Sequence, residues 1–517
     1  MTDTYYVTTP IYYVNDKPTI GHAYTTIAAD VLARFGRSAG RDVRFLTGTD
    51  EHGVKIYKAA QAKGLGPREL ADEVVQHFRD CWAELNVQYD DFIRTSEPRH
   101  ERRVQEIIRR LLDRDEIYLG KYEGWYDEGQ EEFVTESTAR EHDYKSPMNA
   151  QPLVRYSEPG YFFRLGKWVP KLIAHIEAHP DFVQPAARRN EVLSKLKMGV
   201  GDLNISRSVE KLPWGVRMPN DETHVVYVWI DALSNYYTAL GLPEIGDADD
   251  AHAARYWPAD VHLIGKDILW FHAVYWPCLL MALDIELPRC VFAHGWWTAE
   301  GKKMSKSLGN FISRDEITEL CQEYSLDVFR WYLLRAVAFG ADGDFSREML
   351  QGRYNTVLAN GVGNLLSRTA KMIGKYCDGR VPEPAEAGAQ ERAVRAAGEA
   401  LIADAPAVLG RCAFHEYLDR IEALTDATNT YIDRTQPYKL AKDPAQAGRL
   451  GTILYTCAEA VRLILAYLQP VMPATAGRGL AALGQDASEG IATAGGWGRL
   501  AAGAAVGMDE PLFPRKP

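Results

Sequence analysis

Apolar residues recur along this chain with two periods, and the change between them divides it. Residues 5–9, rich in aromatic and β-branched side chains, read as a strand. After a proline-containing loop, Ile20, Tyr24, Ile27, Val31, Leu32 and Phe35 fall three or four apart, which is one face of a helix. Residues 43–46 read as the next strand. Pro67 then opens a second helix, with Leu70, Val74, Phe78 and Trp82 one turn apart. Strand and helix in alternation predict a doubly wound, Rossmann-like parallel sheet, an α/β fold. The alternation breaks near Leu119. Residues 123–163 are rich in Tyr, Glu, Gly and Pro with short strand-like pieces, the pattern of an insertion. It resumes at 224–230, followed by strand-like 261–264, an apolar helix over 268–283 and a strand at 291–293. From about Asp327 the chain reads as helices joined by short loops. Residues 378–388 are a candidate linker, and the tail beyond about Thr475 is Ala- and Gly-rich with weak periodicity. No internal repeat is visible.

At 517 residues the chain fits about three domains, and 46 % hydrophobic residues supply several cores. The formal net charge of −11 repels nucleic acid at long range, so an RNA partner has to meet a local basic surface. Seven cysteines stand at 81, 278, 290, 321, 377, 412 and 457, with no C-x-x-C pair. That argues for a reducing, cytoplasmic compartment and against a disulfide framework or cysteine zinc site. The first residues show no basic n-region and no cleavable apolar core, so no secretory signal is expected. The most apolar run, 268–283, contains His272 and Pro277 and is short for a bilayer, so no membrane is expected.

Two motifs carry candidate chemistry. Lys303-Met304-Ser305-Lys306-Ser307, flanked by Gly301 and Gly309, packs two lysines and two hydroxyls into a short loop suited to a polyphosphate. Thr19-Ile20-Gly21-His22 opens the first helix, where free N–H groups and positive potential favour phosphate. Gly21 lets a ligand approach the backbone, and His22 has a ring donor for a phosphate oxygen. Thr19 suits a helix cap or a phosphate contact. Taken singly, the first is an ordinary solvated loop and the second an ordinary cap. A doubly wound sheet binds ligands beyond its strand C-termini, where the two motifs would meet.

The lysine pentapeptide is the signature of class I aminoacyl-tRNA synthetases, and the chain resembles the methionyl-tRNA synthetases over nearly its whole length. The resemblance is carried by Thr8-Thr9-Pro10-Ile11-Tyr12-Tyr13, Thr49-Asp50-Glu51-His52-Gly53, Val228-Trp229-Ile230-Asp231-Ala232-Leu233, Ile264-Gly265-Lys266-Asp267-Ile268, Phe271-His272 and His294-Gly295-Trp296-Trp297. The usual His-Ile/Leu-Gly-His of the family has Thr19 in its first position here. The resemblance implies a Rossmann catalytic domain in two halves (1–118 and 224–295) around a connective insertion (119–223). The KMSKS loop and stem-contact region (296–350), an all-α anticodon-binding bundle (351–475) and a tail (476–517) would follow.

It further implies a methionine–tRNA ligase. ATP would contact Thr19, Gly21, His22, Lys303, Ser305 and Lys306, with His22, Lys303 and Lys306 acting in catalysis and Mg²⁺ arriving with ATP. Methionine would sit among Ile11, Tyr13, Trp229, Ala232, Leu233, Tyr236, Ile268 and His272, its amino group on Asp50; aromatic walls suit a thioether. Asn364, Arg368 and Tyr438 would read the anticodon of initiator and elongator tRNA(Met). Relatives hold zinc in the insertion through cysteine pairs; Tyr126-Asp127-Glu128-Gly129-Gln130-Glu131 has none, so a metal-free knuckle without structural zinc is expected. Without the dimerisation domain of many bacterial relatives, a monomer is expected. The rival readings are another class I synthetase, a small-molecule adenylyltransferase and a catalytically inactive tRNA-binding homologue.

Overall fold

The computed structural model describes residues 4–129, 132–134, 136–241, 255–299, 302–303 and 312–517. Ser305 and Lys306 of the predicted phosphate loop lie outside the described residues. The chain divides into two compact units: Thr4–Ala29 with Val43–His294, and Asp30–Asp42 with Gly295–Pro517.

The first unit is built on a six-stranded sheet. Its strands are β1 (Thr4–Tyr13), β2 (Asp42–Asp50), β3 (Asp91–Arg94), β4 (Val183–Gln184), β5 (Val261–Gly265) and β6 (Val291–His294), in the order β3-β2-β1-β5-β6-β4. The pairings β2–β3, β1–β5, β5–β6 and β6–β4 are parallel. β5 and β6 are buried at every position, as a sheet covered on both faces requires. Strand order reverses between β1 and β5, where Val7 stands opposite Val261 and Thr8 opposite His262. The crevice beyond the C-terminal ends of these two strands is the ligand position of a doubly wound sheet. Helix α1 (Ile20–Ser38) follows β1, and α2 (Pro67–Glu84) buries Leu70, Val74, Phe78 and Trp82 as the spacing predicts.

Two stretches differ from the sequence reading. Residues 224–230 are not a strand of the main sheet. Strand Asp221–Val226 pairs antiparallel with Ser206–Ser208 and Arg217–Met218 in a small sheet of its own. Helix α4 (Val228–Thr238) then starts almost at once, preceded in the chain by α3 (Pro98–Asp113). All residues of α4 are buried, so it has no solvent-exposed face, and the short apolar run that leads into it, residues 225–230, reads alike as strand or buried helix. The predicted helix over 268–283 is not uniform. It opens with a 3₁₀ turn (Lys266–Ile268), passes through a π turn (Phe271–Tyr275) and ends as an α-helix over Trp276–Ala282. A π turn of this kind re-aims side chains and is common at functional sites.

The insertion is a four-stranded sheet dominated by the long antiparallel pair Ile117–Asp127 and Val154–Phe163. Its knuckle is held by short polar turns. Asp127 accepts the Gly129 N–H at 2.9 Å; Ser146 accepts from Met148 and Asn149 at 3.2 and 3.4 Å; and Asn149 accepts from Gln151 at 2.9 Å. Glu128 is engaged by Lys58 at 2.6 Å. Among the described residues no group of three or more His, Cys, Asp or Glu is placed to hold a metal ion.

The second unit is mainly helical. Helix Ala447–Leu468 lies at its centre and is buried along nearly its whole length. The stretch Pro444–Leu468 is long and apolar enough to cross a bilayer by composition, but 94 % of its window is buried inside the protein, as in a soluble core helix. On α1, Asp30 pairs with Arg330 at 2.6 Å; both side chains are fully buried, and Arg330 also donates to the carbonyls of Val471 and Pro470. The tail beyond Thr475 is folded. The buried carboxylate of Glu459, held by Arg462 at 2.6 and 2.9 Å, accepts the backbone N–H groups of Gly498, Arg499 and Leu500. The linker and tail also bond each other, Val381 N–H to Ala504 O and Val506 N–H to Gly379 O. Backbone bonds need no side-chain pattern, which is why the tail has weak periodicity.

Candidate functional site

The crevice is assembled from the ends of β1, β2 and β5, the first turn of α1, and α4 with the π turn behind it. Thr19 comes first. Its backbone N–H donates to His22 Nδ1 at 3.0 Å, its hydroxyl lies 3.3 Å from the same atom, and its carbonyl accepts the Ala23 N–H. His22 Nδ1 is therefore an acceptor, and its ring proton resides on Nε2. The ring packs edge-on against Tyr12 and Phe78 at 4.9 and 5.7 Å. Burial pulls the His22 pKa down to about 4, against the opposing pull of Asp267, so the imidazole is a neutral donor at neutral pH. A Cβ on Gly21 would meet nothing nearer than Thr19 Oγ1 at 3.8 Å. No contact within the protein demands glycine there; the space beside it is open for a ligand. The Thr25 hydroxyl ties this turn to the end of β6, 2.6 Å from His294 Nε2.

The predicted side-chain slot lies on the other side. α4 carries Trp229, Ala232, Leu233 and Tyr236, all buried. Trp229 stacks on Phe271 at 3.7 Å, its buried indole N–H has no hydrogen-bond partner, and its ring edge lies toward His272 at 6.4 Å. Tyr236 and His272 are joined at 2.7 Å, and His272 Nδ1 lies 2.9 Å from the Ile268 carbonyl. A carbonyl only accepts, so Nδ1 bears the proton and Nε2 accepts from the Tyr236 hydroxyl. Burial lowers the His272 pKa to about 4. Behind it, Tyr236 stacks on His262 at 4.2 Å, whose Nε2 accepts the Trp276 indole N–H and whose Nδ1 pairs with Thr8. Ile11 and Tyr13 at the end of β1 and Ile268 are half-buried, with the Lys55 ammonium 4.7 Å above the Tyr13 ring. Asp50 ends β2, buried, and accepts the His52 N–H at 3.4 Å.

Four residues around Asp50 escaped the sequence reading. Glu51 is fully buried and accepts from Thr49 at 2.8 Å, from Arg94 at 2.6 Å and from Ser96. His52 pairs with Asp231 at 2.7 Å, and Asp231 pairs with His100 at 2.8 Å. Glu51, His52 and Asp231 stand inside the motifs quoted above, a signal available beforehand. His100, at the start of an amphipathic helix, has no such signal.

These histidines titrate in opposite senses. Burial would lower the His52 pKa, but Asp231, Glu101 and Asp50 outweigh it and raise it from 6.5 to about 10. Its stabilisation is complete below pH 6.5 and is lost as pH rises through about 10. His22 and His272 are lowered by burial, so their contribution is present above pH 6.5 and lost as pH falls through about 4, and burial likewise pushes His262 well below the ordinary imidazole value. Thermal melting against pH is expected to fall on both sides, and His52→Gln to flatten the alkaline limb alone. An unchanged alkaline slope in that variant would contradict the charged state of His52.

In the second unit, Lys303 lies in the short strand Lys302–Lys303, which pairs with Trp297–Ala299. Helix Asn364–Tyr376 leaves Asn364 exposed and Arg368 half-buried, the latter bonded to Asp433 at 2.9 Å. Tyr438, in the short helix Pro437–Leu440, is 47 % exposed.

Comparison with known proteins accords with this architecture. The family described as tRNA synthetases class I (M) matches residues 5–142 and 145–370. The methionine–tRNA ligase of Caldanaerobacter subterraneus subsp. tengcongensis is 46 % identical, the match covering 100 % of this chain and 79 % of that protein. The methionine–tRNA ligase of Streptomyces coelicolor is 45 % identical over 99 % of this chain and 96 % of its own length. The structure of Mycobacterium tuberculosis methionyl-tRNA synthetase in complex with methionyl-adenylate superposes with a TM-score of 0.92 at 42 % identity, covering 99 % of this chain and 100 % of that one. With a parallel sheet that switches order between β1 and β5, and with these matches over nearly its whole length, the chain belongs to the class I tRNA synthetases (M), the methionyl-tRNA synthetase family.

Proposed function

We infer that this protein is a methionine–tRNA ligase. It activates L-methionine with ATP to methionyl-adenylate and pyrophosphate, then transfers the methionyl group to tRNA for protein synthesis. The observation that carries the reading at residue level is the aromatic slot on α4 and the π turn, opening beside the neutral donor His22 at one sheet crevice.

In the first step a methionine carboxylate oxygen bonds to the α-phosphorus as the bond to the β-phosphate oxygen breaks. The carboxylate is already a nucleophile, so the protein's work is positioning and charge stabilisation. We assign the Nε2–H of His22 to a phosphate oxygen near the reacting phosphorus. Lys303, Ser305 and Lys306 are assigned to the departing pyrophosphate, and Thr19 to holding His22 in the required tautomer. Mg²⁺ is assigned to the ATP phosphates; they, and not a protein cage, would supply most of its ligands, where it screens their charge. Trp229, Ala232, Leu233, Tyr236, Ile11, Tyr13, Ile268 and His272 are assigned to the side chain and Asp50 to the ammonium. Tyr236 spends its proton on His272, so that hydroxyl presents lone pairs to the slot, and the surroundings suit an apolar thioether. In the second step the 3′-terminal ribose hydroxyl attacks the activated carbonyl, releasing AMP. Asn364, Arg368 and Tyr438 are assigned to the anticodon of both initiator and elongator tRNA(Met), with Tyr438 offering an exposed ring for a base to stack on. The enzyme is proposed to act as a cytoplasmic monomer.

Pyrophosphate exchange into ATP, run with each of the twenty amino acids, is expected to proceed with methionine. Homocysteine, smaller by one methyl group, is expected to be discriminated by only about 1–3 kcal/mol. Exchange with leucine or cysteine in place of methionine would overturn the substrate, and exchange with none would point to an inactive tRNA-binding homologue.

A further inference from the structure

Asp231 sits on α4 among the residues that wall the thioether slot, yet its carboxylate faces away from that slot. It is 1 % exposed. One oxygen accepts from His52 Nδ1 at 2.7 Å and the other from His100 Nε2 at 2.8 Å. His100 Nδ1 in turn meets the Thr238 hydroxyl at 2.7 Å, so the chain closes back on the last turn of α4. His52 stands two residues after Asp50, and its backbone N–H donates to the Asp50 carboxylate. Glu101 on α3 is a further charged neighbour of His52, 3.6 Å from Nε2, and the Trp214 ring lies edge-on at 5.2 Å. Glu51, between Asp50 and His52, is turned to Arg94, Thr49 and Ser96. Three separate elements — the end of β2, α3 and α4 — are thus joined through one buried anion.

We propose that Asp231 is a positioning residue for methionine: by bridging His52 and His100 it fixes the distance between the ammonium-binding end of the pocket at Asp50 and the thioether-binding wall on α4. The proposal rests on the methionine–tRNA ligase reading. Its physical basis is that methionine touches both ends at once. A ligand held at two points loses affinity when their separation drifts, whereas ATP, bound at the start of α1, does not register that separation. Asp231 supplies acceptors only, and both of its partners are nitrogen donors. An asparagine of the same shape turns one acceptor into a donor and releases one of the two histidines.

The test is steady-state pyrophosphate exchange with Asp231→Asn, His100→Leu, His100→Gln and the milder Thr238→Val. Asp231→Asn and His100→Leu are expected to raise KM for methionine about tenfold or more, with KM for ATP within about twofold of wild type. His100→Gln, which keeps a side-chain N–H for Asp231, is expected to recover most of the loss, and Thr238→Val to fall between. Methioninol, which retains the ammonium and thioether, should lose inhibitory affinity in parallel. 4-(Methylthio)butanoate, which lacks the ammonium, should inhibit variant and wild type alike. Equal rises in both KM values, an unaltered KM for methionine, or equal losses for the two analogues would overturn the proposal. If Asp231→Asn does not fold, the His100 pair and Thr238→Val decide by the same criteria. Wild-type protein without methionine-dependent exchange would sink the underlying reading instead, so the two failures are distinguishable.

Discussion

His22→Ala is expected to slow adenylate formation about 10²- to 10³-fold while leaving the protein folded. That is the loss typical when one preorganised donor to a developing negative charge is removed. The preorganisation is specific here. Thr19 N–H occupies Nδ1, so the proton is confined to Nε2, and the ring is clamped by Tyr12 and Phe78. No ring rotation or proton transfer has to precede the reaction. Because burial holds the His22 pKa near 4, the rate should not follow its titration at neutral pH. His22→Gln, whose terminal amide N–H reaches a similar place, is expected to recover part of the rate. Single-turnover quench-flow measures the step directly. An alanine variant within about threefold of wild type would remove His22 from the chemistry.

The largest expected loss of stability follows from Asp30→Ala. Asp30 accepts from Arg330 at 2.6 Å and from Arg34 at 2.6 Å. Without it, Arg330 remains a fully buried cation that has lost its carboxylate, with the carbonyls of Val471 and Pro470 still accepting from it. Removing one member of such a pair costs about 3–5 kcal/mol, because the other is left uncompensated. Replacing both, as in Asp30→Leu with Arg330→Met, is expected to recover much of that loss, since two apolar side chains leave no orphaned charge. Urea unfolding of the single and double variants checks both statements. A single-variant loss below about 1 kcal/mol would mean that the site rehydrates or repacks around the arginine.

Periodicity revealed the elements that turn one face to solvent and missed the one that is buried all round. α1 and α2 stand where their apolar spacing places them, because each covers the sheet with one stripe. α4 is buried all round, so its run of Val, Tyr and Trp was indistinguishable from a strand. The π turn at His272 cannot be read from spacing, since it inserts a wider turn into an otherwise helical register. At the candidate site, Thr19, Gly21 and His22 stood out as a helix start suited to phosphate, while Asp50 and the α4 aromatics entered through the family resemblance; as candidates, all of them were legible. The links between them were not. His52, Asp231 and His100 are brought together from positions as far as 179 residues apart, and nothing local to any of them announces the meeting.

The clasp between Glu459 and the backbone at Gly498 has a consequence for synthesis. Its donor lies 39 residues downstream of the carboxylate. At roughly 5–20 residues per second, the ribosome needs about 2–8 s to add that length. During this interval Glu459 and Arg462 have to wait hydrated, and the central helix keeps an open flank that a chaperone can cover. Nascent chains halted short of Gly498 should therefore remain protease-sensitive in this unit, while the sheet-based unit, its last strand already made, resists digestion.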